Sequence, residues 1–282
     1  MSHSSLLSSQ GPEIELDKIA SLKDNEISLG DTALLLAVLD NPLVSIRRYE
    51  RHMCKLSADV EKAYANNNNT NDKKLAALRK VIADEHGYVG DTDTYDSLQN
   101  ANLISVIDRR KGLPIALGIL YIHTARMLGW SIDGLKFPGH FLVRIEDEGE
   151  RVIFDPFDSA KRIEVFDMRA LLKKTLGSNA ELSADNYDLA SNREILIRLQ
   201  NNKKIRLLKT EQVSEALSVV ESMISFAPNL SGLWHEAGVL NNHLGNISAA
   251  ISSLEQCYEL CSLPQEKARL KELINGLHNQ LN

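Results

Sequence analysis

The stretch from Asp108 to Asp158, DRRKGLPIALGILYIHTARMLGWSIDGLKFPGHFLVRIEDEGERVIFDPFD, limits the possible fold more than any other part of the chain. It reads as a charged loop, a helix opened by proline, and three short strands. Pro114 suits a first helical turn, where its missing N–H has no partner to lose and its fixed φ matches the helix. From Ile115 to Leu128 apolar side chains cover most of the circumference, among them Leu117, Ile119, Leu120, Ile122, Ala125 and Met127. A helix of that kind belongs in a core, and it is too short and too interrupted by polar residues to span a membrane. Gly129 follows in the position where a left-handed residue ends a helix.

The strands can be placed by counting. Phe141, Val143 and Ile145 alternate with His140, Leu142 and Arg144, and Val152 and Phe154 alternate with Ile153 and Asp155. With a loop at Asp147-Glu148-Gly149-Glu150, a hairpin pairs positions whose numbers sum to 297. Leu142 then faces Asp155, and His140 becomes the diagonal neighbour of Asp155 on the same face. Diagonal Cβ atoms lie roughly 7–8 Å apart, a gap that His and Asp side chains close. A His–Asp couple is the most chemical arrangement this sequence offers.

These residues resemble a known family. A helix start followed by His and then Asp on successive strands is similar to the transglutaminase-like fold, whose triad is Cys-His-Asp. More closely, DRRKGLPIAL, FPGHFLVR and FDPF resemble the bacterial SirB-type (YchA-like) proteins. Those join an N-terminal transglutaminase-like domain to C-terminal tetratricopeptide (TPR) repeats. The resemblance is specific across roughly residues 80–165, and its order of parts covers most of the chain. It implies that His140 and Asp155 hold the second and third triad positions. In the same register, Gly112-Leu113-Pro114 before the closing Leu128-Gly129, it places Pro114 where the enzymes hold cysteine. A thiolate at a helix N-terminus is favoured by the dipole and by a paired His. Proline has no nucleophile to activate. The SirB-type proteins resemble this chain in having that proline, which puts acyl transfer in doubt and leaves the fold intact.

At 282 residues the chain has room for one large domain or two ordinary ones. A net charge of −6 argues against general binding to nucleic acid or to an anionic membrane, since both need a basic surface. The chain's three cysteines make no disulfide framework, which points to a reducing cytoplasm. The opening MSHSSLLSSQGPE lacks the basic and apolar regions of a secretory signal. Cys257 and Cys261 share a helical face without His at matching spacing, so no metal is expected, and no cofactor either.

In chain order, residues 1–13 are Ser-rich and expected to be a disordered tail. Asp31 reads as the N-cap of a first helix stopped by Asn41-Pro42, and a second runs from Val44 to about Ala65. Asn66 to Asp72 reads as a polar loop, and Leu75, Leu78, Val81 and Ile82 as a third helix closed by Gly87. After the central stretch, Ile163 to Phe166 reads as a last strand and Asp167 as a helix cap. The polar run from Gly177 to Asn186 is the expected domain boundary. Beyond it, Trp234-x2-Ala237-Gly238-x2-Asn241 and then Ala250-x3-Leu254 track the TPR template. Ala216, Val220 and Pro228 sit about thirty-four residues earlier, in phase with it. A last helix from about Pro264 to Leu281 caps the array. The fold class is α+β and mostly helical, with a transglutaminase-like domain over 14–180 and a TPR-like helical array over 187–282.

Each candidate residue has a plain alternative. His140 and Asp155 are a catalytic remnant, a ligand-binding pair or a structural couple. Asp108, Arg109 and Arg110 either bind an anion or peptide carboxylate beside the helix start, or hold the loop through an Asp108–Arg pair. Trp234 is either part of a peptide-binding TPR surface or repeat core. Cys54, four residues from Glu50 on a helix, has no cue that activates it. Two function classes follow. One is a non-catalytic regulatory protein engaging a protein or peptide through its TPR region. The other is a hydrolase or acyltransferase using His140 and Asp155.

Overall fold

The computed structural model describes residues 11–64 and 70–281. Two compact units make up the chain: Asp24–Leu199, and the residues up to Lys23 together with those from Gln200 onward. In chain order the elements begin with α1 (Pro12–Ala20), α2 (Leu29–Val38), α3 (Arg47–Tyr64) and α4 (Asn71–Leu78), which continues as a π-helical stretch over Arg79–Glu85. Then come β1 (Val89–Gly90), α5 (Leu103–Arg109), β2 (Lys111–Gly112) and α6 (Pro114–Met127). The sheet follows, with β3 (Ile132–Gly134), β4 (Val143–Asp147), β5 (Glu150–Asp155) and β6 (Lys161–Arg162). The rest is helical: α7 (Val165–Leu176), α8 (Asn192–Lys209), α9 (Val213–Phe226), α10 (Ser231–His243), α11 (Ile247–Leu260) and α12 (Pro264–Leu281). Among the described residues no helix is long and apolar enough to cross a membrane.

The first unit is built around α6. Every residue from Pro114 to Ala125 is buried, so the helix has no solvent face over that span. Pro114 stands in its first turn, and Gly129 ends it at φ +74°. The four strands form an antiparallel sheet in the order β3-β4-β5-β6. The hairpin has the register expected from the count, with Val143 opposite Phe154, Ile145 opposite Val152 and Asp147 opposite Glu150. Its turn is tight because Glu148 and Gly149 both adopt positive φ, 49° and 84°, the geometry whose twist matches the flanking strands. The chain after α7 returns to the free side of β3. Lys136 N–H donates to Asp188 O at 2.9 Å and Ala190 N–H to Gly134 O at 2.8 Å.

The packing of the sheet on α6 turns on one ring. Phe141 is buried, and glycines flank it on both sides. An added Cβ at Gly118 of α6 would lie 2.3 Å from Phe141 Cε1, and one at Gly134 of β3 would lie 2.6 Å from its Cζ. Tyr121 of α6 meets Phe154 of β5 edge-on, with centroids 5.4 Å apart.

The second unit carries the TPR pattern. Ala216 on α9 and Ala250 on α11 are buried at equivalent repeat positions, as are Val220 and Leu254. Gly238 lets α10 approach α11, since a Cβ there would meet Leu254 Cγ at 2.7 Å. Ala250, Ile251, Leu254, Cys257, Leu270 and Leu277 form one cluster, against which Trp234 and Tyr258 pack partly buried.

Several local expectations are corrected. Residues 12–20 form α1, with Pro12 in its first turn and Leu16 and Ile19 buried. Only residues 1–10 of the expected tail, and 65–69 around the asparagine tract, lie outside the described residues. The first long helix is capped at Ser28, not Asp31, and Ser28 Oγ donates to the Asp31 carboxylate at 2.6 Å. The last strand is Lys161–Arg162. Glu164 already caps α7 through reciprocal bonds with Asp167, so Asp167 is the third helical residue rather than the cap. Ile163, the strongest apolar residue of the expected strand, instead fills a cluster with Leu135, Phe137, Leu142, Met168 and Leu172.

Candidate functional site

His140 sits just before β4, after a turn that requires glycine. Gly139 has φ +67°, and a Cβ there would lie 2.3 Å from Thr175 Cγ2. Asp155 is the last residue of β5. His140 Nε2 and Asp155 Oδ2 are 2.7 Å apart, so the diagonal couple is made. The other carboxylate oxygen accepts the Phe157 N–H at 2.8 Å. The Asp155 side chain is 10% exposed and that of His140 is 22% exposed, so the carboxylate is the inner partner and solvent reaches the ring. Arg198 of α8 closes the other side: its Nη2 donates to His140 O at 2.8 Å, and its guanidinium lies 5.5 Å from the Phe141 centroid. Burial pulls the pKa of that guanidinium below its ordinary value.

A short ladder ties the start of α6 to this couple. β1 and β2 pair in parallel, with Gly90 beside Gly112. Leu113 N–H donates to Asn100 O at 3.1 Å, and Gly90 N–H donates to Phe157 O at 3.2 Å. The same two-residue strand therefore borders both Gly112, two residues before Pro114, and Phe157, two residues after Asp155. An added Cβ at Gly90 would meet the Phe157 ring at 2.5 Å, which keeps that border close. β1 thus links the approach to α6 with the turn that follows Asp155, and the helix opens with proline.

Two of the thiols sit in surroundings that disfavour the thiolate. Cys54 lies on α3, where partial burial and then the charges of Asp31 and Glu50 push its pKa up. Cys257 is buried in the other unit, where desolvation, then Cys261 and Glu266, push its pKa up as well. Both effects oppose thiolate formation. Among the described residues no group of three or more His, Cys, Asp or Glu is placed to hold a metal ion.

The charged loop divides its roles. Asp108 accepts from Arg48 Nη2 at 2.9 Å and from Tyr49 Oη at 2.8 Å. Arg109 turns inward, donating to Asn100 Oδ1 at 2.9 Å and to Asp91 Oδ2 at 2.7 Å. Bonds from the Thr94 hydroxyl and N–H, then Arg109, hold the buried Asp91 carboxyl well below the usual range. Arg110 has left-handed backbone (φ 59°), and its Nη1 contacts His52 Nε2 at 2.7 Å and the Tyr88 hydroxyl. Its guanidinium also stacks 4.7 Å from the Tyr88 centroid. Burial, then the Arg110 charge, lowers the His52 pKa to about 4, which keeps that ring neutral at ordinary pH. The expected anion loop therefore divides, with an internal strut at Arg109 and a part-buried group stacked on Tyr88 at Arg110. Trp234 packs against the repeat core, and its Nε1 donates to Pro228 O at 2.7 Å.

Sequence reasoning missed the partners of Arg110 on α3. Arg48, Arg51, His52 and Lys55 follow i, i+3, i+4, i+7 spacing, a helical stripe visible in the sequence.

Residues 47–201, more than half the chain, match the family model described as the transglutaminase-like superfamily. The chain belongs to the transglutaminase-like superfamily. Residues 204–275 match a tetratricopeptide repeat model. Relatives of this superfamily member include a "UPF0162 protein" of Xylella fastidiosa, 28% identical over 251 residues and covering 86% of this chain and 88% of the relative. Another, from Vibrio cholerae, is 27% identical and covers 89% of this chain and 93% of the relative. "Protein SirB1" of Salmonella typhimurium is 25% identical, covering 74% of this chain and 78% of its own. The resemblance to SirB-type proteins, and their order of parts, is borne out.

Proposed function

We propose that this chain is a non-catalytic interaction or regulatory protein. In this reading its transglutaminase-like domain keeps the His140–Asp155 couple as a structural remnant of a triad, and its TPR array takes a protein or peptide partner. The observation that carries the reading is the proline in the first turn of α6, in a unit that also holds an intact His–Asp pair. Covalent acyl transfer needs a nucleophile there, and a triad stripped of one member loses most of its rate. The raised thiol pKa values of Cys54 and Cys257 support the same reading. Three cysteines without a disulfide framework support a cytoplasmic location.

One observation favours the alternative, a hydrolase in which His140 activates water. The ring is 22% exposed and its Nε2 is already oriented by Asp155, which leaves Nδ1 as the candidate base atom. The two readings separate on turnover. Purified full chain is given a thioester acyl donor and a primary-amine acceptor, and thiol release is followed. Wild type and His140→Gln are expected to release thiol at the same background rate. Turnover that disappears in His140→Gln would replace the non-catalytic reading with the hydrolytic one.

A further inference from the structure

The Asp24–Leu199 unit holds a cleft that the His140–Asp155 site does not use. It lies between α3 and the end of α5, has a volume of about 380 Å³, and is lined by Arg48, Arg51, His52, Lys55, Asp108 and Arg110, with Tyr49 and Ile107 at its base. Four lining residues are cationic and one is a carboxylate, a local balance of +3 (four minus one) in a chain whose net charge is −6. Two of the cations already have acidic partners: Arg48 holds Asp108 at 2.9 Å and Lys55 holds Asp59 at 2.5 Å. Arg51 and Arg110 differ. Among the described residues neither is within ion-pair distance of a carboxylate; Arg51 Nε donates to Arg47 O at 3.3 Å, and Arg110 rests on His52 and Tyr88. A guanidinium stays charged at any physiological pH, so a part-buried one set against a neutral imidazole and a phenol lacks its counter-ion.

We propose that this cleft binds the phosphate group of a small phosphorylated molecule. Two arginines without carboxylate partners offer planar forks that match phosphate oxygens in pairs, a geometry lysine lacks. The volume is at the low end of small-ligand pockets. It suits a metabolite-sized phosphate ester better than a long polymer, which the acidic remainder of the chain would repel. Asp108, pinned by Arg48 and Tyr49, stands on the wall as an acceptor for ligand hydroxyl groups and disfavours an additional anion on that side. Arg109, turned inward to Asp91 and Asn100, takes no part.

The test is isothermal titration of the full-length protein with inorganic pyrophosphate and with inorganic phosphate at low chloride. Saturable binding of one pyrophosphate per chain, tighter than phosphate, is expected. Arg51→Gln and Arg110→Gln are each expected to weaken it about tenfold or more, the loss of a bidentate charged contact. Lys62→Gln removes the same charge from the same helix outside the cleft, and should change affinity less than about twofold. If Arg110→Gln does not fold, as judged by circular dichroism, the exposed Arg51 decides the matter alone. Absence of saturable heat with wild type overturns the proposal. So does equal weakening by Lys62→Gln, which marks nonspecific charge, and so does Arg51-dependent binding of a single-stranded RNA where pyrophosphate does not bind.

Discussion

Replacing Gly118 by valine is expected to destabilise the transglutaminase-like unit by about 3 kcal/mol, at the top of the usual range for overpacking a core. The reason is the position of Phe141. Its ring lies where a Cβ on Gly118 would sit 2.3 Å from Cε1. It has no room to retreat, because Gly134 borders its far edge and a Cβ there would be 2.6 Å from Cζ and 3.1 Å from Ile195 Cδ1. Valine adds its branch against that ring and also loses helix propensity relative to unbranched residues. Urea denaturation followed by circular dichroism gives the change in midpoint. Gly118→Ala should be milder, since alanine gains about 1 kcal/mol of helix propensity over glycine that offsets part of the clash. Adding Phe141→Leu to Gly118→Ala should recover stability relative to Gly118→Ala alone, because leucine has no atom at the Cε1 position. A Gly118→Val protein as stable as wild type would mean that Phe141 is not wedged between α6 and β3.

Removal of the Asp155 carboxylate is expected to have a comparable effect. Its two oxygens have separate partners, the His140 ring at 2.7 Å and the Phe157 N–H at 2.8 Å. Asp155→Ala strips both and leaves a part-buried N–H without its acceptor, a loss of about 2–4 kcal/mol when the lost bonds are charge-assisted. Asp155→Asn keeps an acceptor for Phe157 and an amide still able to hydrogen-bond the His140 ring, so about 1 kcal/mol should be lost. A ranking of Ala well below Asn, and Asn slightly below wild type, supports a structural role for the couple. Unchanged stability in Asp155→Ala would mean that the couple contributes nothing to holding β5 and the Phe157 turn together.

Much of this site was legible in the sequence because it rests on short-range rules. The alternation of Val143 and Ile145 with Arg144, followed by a Glu-Gly turn, defines the register, and the register puts His140 and Asp155 on one face. The buried α6 follows from its all-round apolar pattern, with Pro114 and Gly129 as its two ends. The parts that were not legible depend on tertiary partners. Arg109 and Arg110 are adjacent and chemically identical, yet one points to Asp91 and the other to His52, 58 positions away. The basic stripe on α3 was visible as spacing, but its meaning as one wall of a cleft needed the end of α5 opposite it. Helix α1 was missed because Leu16 and Ile19 give too short an apolar pattern to outweigh a Ser-rich start. Its burial is supplied by α9, nearly two hundred residues on in the sequence, against which it packs. No sequence rule anticipates the π-helical stretch at Arg79–Glu85.

The proposed non-catalytic role requires that Pro114 leave α6 without a helix-opening nucleophile and that no other thiol take its place. The most direct measurement is the pH dependence of iodoacetamide alkylation at Cys54, Cys257 and Cys261, resolved by mass spectrometry of the intact fold from pH 5 to 10. Alkylation follows the thiolate fraction, so an activated cysteine is already fully reactive near pH 6, whereas an ordinary one gains reactivity up to about pH 9. Burial and acidic neighbours raise the pKa values of Cys54 and Cys257, so their rates are expected to keep rising above about pH 9. His140→Gln is expected to leave all three profiles unchanged. A cysteine with a plateau reached below about pH 7, lost in His140→Gln, would contradict it by revealing a thiolate that the His–Asp couple activates.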